Sequence, residues 1–207
     1  SILNHDHFQG GNYTFPMEKA PIEVELENSH YPDVKAGIVR WPMSVLRISA
    51  EDTTPLEEFA EYILDLWRKY SDPSADILAE SINEEGERIP HNTITPIARL
   101  NKEGLYELDL VFRNNRTSSE HPLGIFHPHA ELHHIKKENI GLIEVMGLFI
   151  LPGRLQKELQ SVQEFLTGTK NIKDEDLSNP DHPLHHHSHW IQELVETYGT
   201  EVEASKA

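Results

Sequence analysis

Cysteine is missing from all 207 residues. The chain therefore cannot form disulfides, bind a metal through thiolates or use a cysteine as a nucleophile. No apolar run reaches the roughly 18 residues that a membrane-spanning helix needs, and the first residues do not have the pattern of a signal peptide. The sequence predicts a cytoplasmic protein without membrane contact.

Positive charge is also scarce. Lys and Arg together number 18 against 35 Asp and Glu, which gives a formal net charge of −17 at pH 7. A general nucleic-acid binder needs many cations to displace counterions from phosphates, so this class is disfavoured. A small phosphorylated substrate needs only a few local donors and stays possible.

Histidine, by contrast, is abundant, with 14 residues. The densest motif lies within the first eleven residues, and the chain begins at Ser1 rather than at Met. A catalytic motif at an extreme terminus favours a piece of a longer protein.

The first part of the chain is predicted to consist of extended segments. Its segments NYTF, IEVELE, KAGIVRW and SVLRIS are rich in β-branched and aromatic residues, with prolines between them. A helix is predicted over TTPLEEFAEYILDLWRKY, where apolar residues recur at helical spacing. NTITPIARLNKEGLYELDLVFRN is typical of a β-hairpin with Asn101 to Gly104 as its turn. Alternation places Glu107, Asp109 and Val111 on one face of its second strand.

The second half favours helices. KENIGLIEVMG, GRLQKELQSVQEFLTG and PLHHHSHWIQELVETYG are predicted as helices, and LFILP as a buried strand between the first two. The order of strands, helix, hairpin and helices predicts an α+β fold with an antiparallel sheet and flanking helices.

The motif NHDHFQGG carries the strongest chemical signal. In an extended segment, His5, His7 and Gln9 point to the same face. A neutral His7 could attack phosphorus, while Gln9 donates its amide to a charged oxygen and Gly10 allows close backbone approach. A bare H-x-H is more often two surface histidines on a strand. The glutamine and the glycines favour the catalytic interpretation.

This H-x-H-x-Q pattern resembles the transferase branch of the histidine-triad superfamily. The longer strings LNHDHFQGGNYTFPMEKA and ELDLVFRNNRTSSEHPLGIFHPHAELHHIKKENIGLIEVMGLFILPGRL are similar to the second class of galactose-1-phosphate uridylyltransferases, found in Gram-positive bacteria. The resemblance implies a histidine-triad-like fold. It also implies that residues 1–207 are the carboxy-terminal, catalytic-histidine domain, without the amino-terminal half that builds most of the uridine pocket.

The resemblance further implies a two-step exchange. His7 would attack the α-phosphorus of UDP-glucose and become a uridylyl-histidine, and galactose 1-phosphate would then accept the uridylyl group. Gln9 would bond the phosphoryl oxygens, and the carbonyl near His5 would orient the ring of His7. Asp6 replaces the proline of the better-known class. No organic cofactor is implied, and a homodimer is an open possibility.

FHPHAELHHIKK contains a second H-x-H. His127 and His129, together with Glu23, could match a structural zinc or iron site of the better-known class. In the rival interpretation, these histidines and Lys136 or Lys137 contact a sugar phosphate. A solvated loop is the third alternative.

Three cationic residues are candidate substrate ligands. Arg113 and Arg116 flank the end of the hairpin, where an arginine fork could bind a phosphate, and Lys136 follows the second H-x-H. An exposed arginine at a strand end is the commoner case. In DHPLHHHSHW, α-helical spacing would let four histidines share one face of a helix: His182, His185, His186 and His189. No function is assigned to this tract.

Two other functions compete with uridylyl transfer. One is a nucleotide phosphorylase or adenylyltransferase with the same covalent-histidine chemistry. The other is a non-catalytic, histidine-rich metal-binding module.

Overall fold

The computed structural model describes residues 8–27, 29–137 and 141–203, except for the side chain of Asp174. These residues form two compact units. The first contains the described residues up to 127 together with 141–148, and the second contains 128–137 and 149–203. The assignment of the whole chain to one catalytic-histidine domain stays a prediction.

The first unit is built on an antiparallel sheet of five strands in the order β1-β2-β3-β7-β6. A separate two-stranded hairpin consists of β4 and β5. The bounds are α1 Pro16–Lys19, β1 Ile22–Leu26, β2 Lys35–Val39, β3 Val45–Ala50, α2 Thr53–Lys69, β4 Glu80–Ile82, β5 Arg88–Pro90, β6 Asn92–Leu100, β7 Tyr106–Asn114 and α3 Leu142–Val145. The predicted α+β class with an antiparallel sheet is confirmed, and the histidine-triad likeness stays a prediction.

The β6–β7 hairpin forms where the sequence predicts it. The side-chain oxygen of Asn101 accepts hydrogen bonds from the backbone N–H groups of Glu103 and Leu105, both at 3.0 Å. Gly104 completes the turn at φ +82°, a left-handed conformation that glycine adopts without steric cost. The turn therefore fixes the register in which β7 pairs with β6.

Helix α2 covers one face of the sheet. Its buried side chains Leu56, Phe59 and Ile63 recur at helical spacing, as predicted. They form one core cluster with Val34, Leu46, Ile48, Ala50 and Leu110.

The opposite face of the sheet combines an apolar cluster with buried charges. Met17, Val39, Val45, Val111 and Val145 pack together there.

Beside this cluster lies the fully buried carboxylate of Asp109. Arg47 donates to it from Nε at 2.7 Å and Arg99 from a terminal nitrogen at 2.6 Å, and Arg99 also donates to Glu107 at 2.7 Å. Arg47 further donates to the carbonyl of Met17 at 2.8 Å. The network therefore ties α1 to the centre of the sheet.

The second unit is helical. The bounds are α4 Leu155–Leu166, α5 Asp174–Ser178 and α6 Ser188–Tyr198, with short 3-10 turns at Ala130–Leu132 and His185–His187. Its core contains Val162, Leu166, Ile172, Leu177, Leu184 and Ile191. The helices predicted over GRLQKELQSVQEFLTG and PLHHHSHWIQELVETYG are confirmed as α4 and α6.

Two details of the prediction are wrong. The segment LFILP is not a buried strand, because residues 149–152 lie in no helix or strand and Phe149 and Ile150 are 67% and 61% exposed. A short apolar strand needs a neighbour to pair its backbone, and Gly147 at φ +99° turns the chain just before it. The helix predicted over KENIGLIEVMG is limited to the four residues of α3 in the described part.

Among the described residues, no helix combines the length and the apolar character that crossing a membrane requires.

Candidate functional sites

The amino-terminal motif is described only in part. His5 and His7 lie outside the described residues. Gln9 lies in an exposed segment without helix or strand. Gly10 and Gly11 also lie in open space, where a Cβ would meet no atom within 4 Å. The common face of His5, His7 and Gln9 therefore stays a prediction.

His127 is the last residue of the first part of the first unit. Its backbone N–H donates to the carbonyl of Gly124 at 3.1 Å, and Gly124 adopts φ +123° beside the imidazole ring. Burial and, after it, the positive charge of Arg113 lower the pKa of His127. Because a neutral imidazole keeps a free lone pair, His127 can act as a ligand or an acceptor at neutral pH.

The other residues of the second H-x-H region have partners in the second unit. Nδ1 of His129 lies 3.5 Å from a carboxylate oxygen of Glu131. Lys136 donates from Nζ to the carbonyl of Ile150 at 2.9 Å in an exposed position. Their predicted roles as metal and substrate ligands stay predictions.

Arg116 stabilises a turn of the first unit. One terminal nitrogen donates to the carbonyl of Asp76 at 2.7 Å and to its carboxylate at 2.9 Å. Asp76 has φ 61°, an uncommon value for a residue with a side chain. The Nε of Arg116 is buried with no hydrogen-bond partner in the described parts of the chain, and the phosphate contact predicted for Arg116 stays a prediction.

His91 is a buried histidine that the sequence analysis does not single out. It is 5% exposed, and its Nε2 lies 2.9 Å from the hydroxyl of Ser81 on β4. Burial, followed by the charge of Arg116, lowers the pKa of His91.

We expect His91→Gln to reduce the loss of stability at low pH. Above the ordinary histidine pKa of about 6.5, His91 is neutral in both states and contributes no pH dependence. As the pH falls through that value, the unfolded chain takes up a proton that folded His91 resists, so folding becomes less favourable.

Urea unfolding at pH 7.5 and pH 5.5 measures this difference. The wild-type free energy of unfolding should fall further between the two pH values than that of His91→Gln. Equal losses in both proteins would contradict the role of His91.

The second unit brings together a carboxylate and two histidines. Glu158 on α4 is 8% exposed, and His187, in the turn before α6, is fully buried. The Oε2 atom of Glu158 lies 2.9 Å from Nε2 of His187 and 3.3 Å from Nε2 of His186. Within the described residues these three groups could hold a metal ion, since their ligand atoms lie within 4.8 Å of one another.

Arg154 and His134 complete this cluster. One terminal nitrogen of Arg154 lies 2.6 Å from Oε2 of Glu158 and 2.8 Å from Nε2 of His186. The Nδ1 atoms of His134 and His187 are 2.6 Å apart. The Nε2 of His134 is buried and has no hydrogen-bond partner in the described parts of the chain.

The charges of the cluster follow from these contacts. Burial raises the pKa of Glu158, but hydrogen bonds from His187 and Arg154 outweigh it and leave the pKa below its usual value. Burial lowers the pKa of His187 and of His134. The lowered pKa values of His187 and His134 favour neutral rings at these two positions near pH 7, beside the carboxylate of Glu158 and the guanidinium of Arg154.

The comparison with known proteins identifies the family. The sequence model of the galactose-1-phosphate uridyl transferase C-terminal domain matches residues 1–189. The chain belongs to this family.

Three curated relatives, each named galactose-1-phosphate uridylyltransferase, show how much of the protein this domain represents. That of Caldanaerobacter subterraneus subsp. tengcongensis is 58% identical over 200 residues, covering 97% of this chain and 38% of the relative. That of Clostridium acetobutylicum is 54% identical over 198 residues, which cover 96% of this chain and 38% of the relative. That of Ligilactobacillus salivarius is 50% identical over 96% of this chain and 37% of the relative.

The uridyl transferase domain thus spans less than two-fifths of the length of these relatives. No solved structure is significantly similar to it. The predicted resemblance to galactose-1-phosphate uridylyltransferases is confirmed.

Among the described residues, the group that could hold a metal ion consists of Glu158, His186 and His187, and neither His127 nor His129 belongs to it. The metal site predicted at His127 and His129 stays a prediction. The sequence analysis placed His182, His185, His186 and His189 on one helical face, whereas the buried member of the tract is His187. His185–His187 form a 3-10 turn before α6, so the spacing of an α-helix does not apply to them.

Proposed function

We propose that this chain is the carboxy-terminal, catalytic-histidine domain of an enzyme that transfers a uridylyl group from UDP-glucose to galactose 1-phosphate. The observation that carries the proposal is its membership of the galactose-1-phosphate uridyl transferase family across residues 1–189. The chain spans 38% of the length of each of two relatives. Its proposed partner is therefore the amino-terminal part of such an enzyme. Turnover by the chain alone should be slow or absent.

In the proposed first step, a ring nitrogen of His7 attacks the α-phosphorus of UDP-glucose. A P–N bond forms, the bond from that phosphorus to the bridging oxygen breaks, and glucose 1-phosphate leaves. In the second step a phosphate oxygen of galactose 1-phosphate attacks the same phosphorus, and the P–N bond breaks. UDP-galactose is released and His7 becomes free again.

Gln9 and His5 support this chemistry in the proposal. The amide of Gln9 donates to a non-bridging oxygen that gains charge in the transition state. Its exposure in the described segment leaves the amide accessible to a substrate. The backbone carbonyl near His5 holds the second ring nitrogen of His7 as N–H, which directs the lone pair of the first toward phosphorus.

The phosphate groups of the two substrates need cationic partners. We assign this role to Arg113, Arg116 and Lys136. Arg113 is close enough to His127 to influence its pKa. This proximity of a guanidinium to the second H-x-H supports a phosphate-binding role without requiring a strongly basic surface.

A zinc or iron ion at His127 and His129 remains part of the proposal. The neutral state of His127 suits metal binding, and the rival role is contact with a sugar phosphate. Location in the cytoplasm and assembly as a homodimer are the remaining proposals.

Two isotopic labels on the donor test the function. The full-length protein is mixed with UDP-glucose labelled either in uracil or in glucose, denatured and separated from small molecules. The uracil label should stay with the protein, and the glucose label should leave as glucose 1-phosphate. In a parallel sample, galactose 1-phosphate added to the native labelled protein before denaturation should remove the uracil label as UDP-galactose.

The controls distinguish the competing functions. Transfer from ADP-glucose or ATP in place of UDP-glucose would favour the nucleotide phosphorylase or adenylyltransferase alternative. Absence of label from every donor, in a folded full-length protein, would contradict covalent catalysis and leave the metal-binding module.

A further inference from the structure

We propose that Glu158, His186 and His187 form a binding site for a divalent transition-metal ion such as zinc, in which the ion takes the position now held by the guanidinium of Arg154. The site lies in the second unit, independently of His7 and of the second H-x-H. It joins α4 to the turn that precedes α6, so its role is to stabilise this unit.

The spacing of the three ligand atoms fits a zinc ion. Zinc binds imidazole nitrogen and carboxylate oxygen at about 2.0–2.2 Å, so two ligand atoms of a tetrahedral site lie about 3.3 Å apart. Oε2 of Glu158 lies 3.3 Å from Nε2 of His186 and 2.9 Å from Nε2 of His187. Small side-chain shifts therefore suffice to place one ion among them.

The position of Arg154 shows that these atoms already face a cation. An arginine can only donate hydrogen bonds. Nε2 of His186, which lies 2.8 Å from it, must therefore present its lone pair. The same nitrogen of Arg154 lies 2.6 Å from Glu158. Two electron-pair donors thus converge on one positive group, which is the arrangement that a metal ion requires.

Arg154 has room to leave this position. Its side chain is 40% exposed. It lines a cavity of about 370 Å³ together with Lys157, Glu158 and His182. The guanidinium can turn into this cavity, which also gives a small ion access to Glu158.

His134 supplies the outer support of the site. A histidine that binds metal through Nε2 usually donates its Nδ1–H to a second group, which fixes the ring. Nδ1 of His187 lies 2.6 Å from Nδ1 of His134. Without metal, His187 donates its Nε2–H to Glu158 and accepts from Nδ1–H of His134. Metal binding at Nε2 of His187 would displace the Nε2 proton to solvent. The proton between the two Nδ1 atoms would then move to His187, and His134 would take up one proton from solvent at Nε2.

The ligand set selects the class of ion. Two imidazoles and one carboxylate suit zinc and similar transition metals, whereas magnesium and calcium prefer oxygen ligands alone. We therefore expect zinc to bind in the presence of excess magnesium.

Zinc titration of the 207-residue chain tests the proposal. The chain is freed of metal with a chelator, dialysed and titrated with zinc chloride by calorimetry, and its melting temperature is measured with and without zinc. We expect uptake of one zinc ion that depends on His186, and a higher melting temperature with zinc. His186→Gln removes an exposed ligand and should weaken binding at least tenfold, while Arg154→Gln removes the competing cation and should strengthen it.

Matched variants separate this site from the others. His189→Gln changes an 81% exposed histidine of the same tract and should bind zinc like the wild type. His127→Gln reports on the other proposed metal site and should also leave this binding intact. Circular dichroism checks that each variant is folded.

Three results would overturn the proposal. The first is no zinc uptake by either the wild type or Arg154→Gln. The second is equal binding by His186→Gln and the wild type. The third is weaker binding by Arg154→Gln, which would show that the arginine supports the cluster instead of occupying the position of the ion.

Discussion

Replacing His7 with alanine in the full-length protein is expected to lower kcat for uridylyl transfer by several orders of magnitude. The change removes the nitrogen that forms the P–N bond, so the covalent route is lost completely. Substrate binding does not depend on that bond, so KM should change far less than kcat. A steady-state assay of UDP-galactose formation measures both constants.

A second set of variants shows whether the loss belongs to the nucleophile. Gln9→Ala removes one donor to the developing charge and should lower kcat by about 10² to 10³, as is typical for such donors. In His7→Gly the vacated space could admit free imidazole, which would restore part of the transfer. Peptide mapping after labelling should find the uridylyl group on His7. A label on His127, His129 or another residue would place the active site elsewhere.

The fold of the first unit follows from local patterns in the sequence. The apolar stripe of Leu56, Phe59 and Ile63 predicts α2 because a helix buries one face. Asn101 and Gly104 predict the β6–β7 turn because each meets a specific backbone requirement there. The exposed segment around Phe149 was missed because apolar composition alone cannot show whether a neighbouring strand exists to pair with it.

The candidate sites were predictable to different degrees. The H-x-H-x-Q motif is compact in sequence, so spacing and resemblance were enough to propose His7 and Gln9. The cluster around His187 joins residues that lie far apart in the sequence. His187 is 29 positions from Glu158 and 53 positions from His134. Such contacts depend on how α4 packs against α6. The one local signal was the spacing of Arg154 and Glu158, four residues apart on a single helical face.

The buried charges of the sheet also depend on contacts that local sequence patterns could not predict. Alternation correctly placed Glu107 and Asp109 on one face of β7, but it could not show that this face is covered. Arg47 and Arg99 reach Asp109 from the neighbouring strands β3 and β6. Burying a carboxylate between two guanidinium groups is tolerated inside the protein because each charge has a partner.

Asp109→Ala is expected to lower the free energy of unfolding by about 3–5 kcal/mol, the usual cost of removing one partner from a buried ion pair. The side chains of Arg47 and Arg99 are only 11% and 14% exposed. Without Asp109, both guanidinium groups would lose a counterion at positions where little water can solvate them. Asp109→Asn keeps the size of the side chain and should also destabilise the protein, which separates loss of charge from loss of packing.

Urea unfolding at pH 7.5 measures the effect of Asp109→Ala, and Asp65→Ala is the matched control. Asp65 lies 3.7 Å from Arg68 on α2, with side chains 58% and 60% exposed. Water screens such a surface pair, so its removal should cost less than about 1 kcal/mol. A domain is usually stable by only about 5–15 kcal/mol, and the loss at Asp109 is therefore a large share of the total. Equal effects of the two alanine variants would mean that the Arg47–Asp109–Arg99 network contributes little to holding α1 and the central strands together.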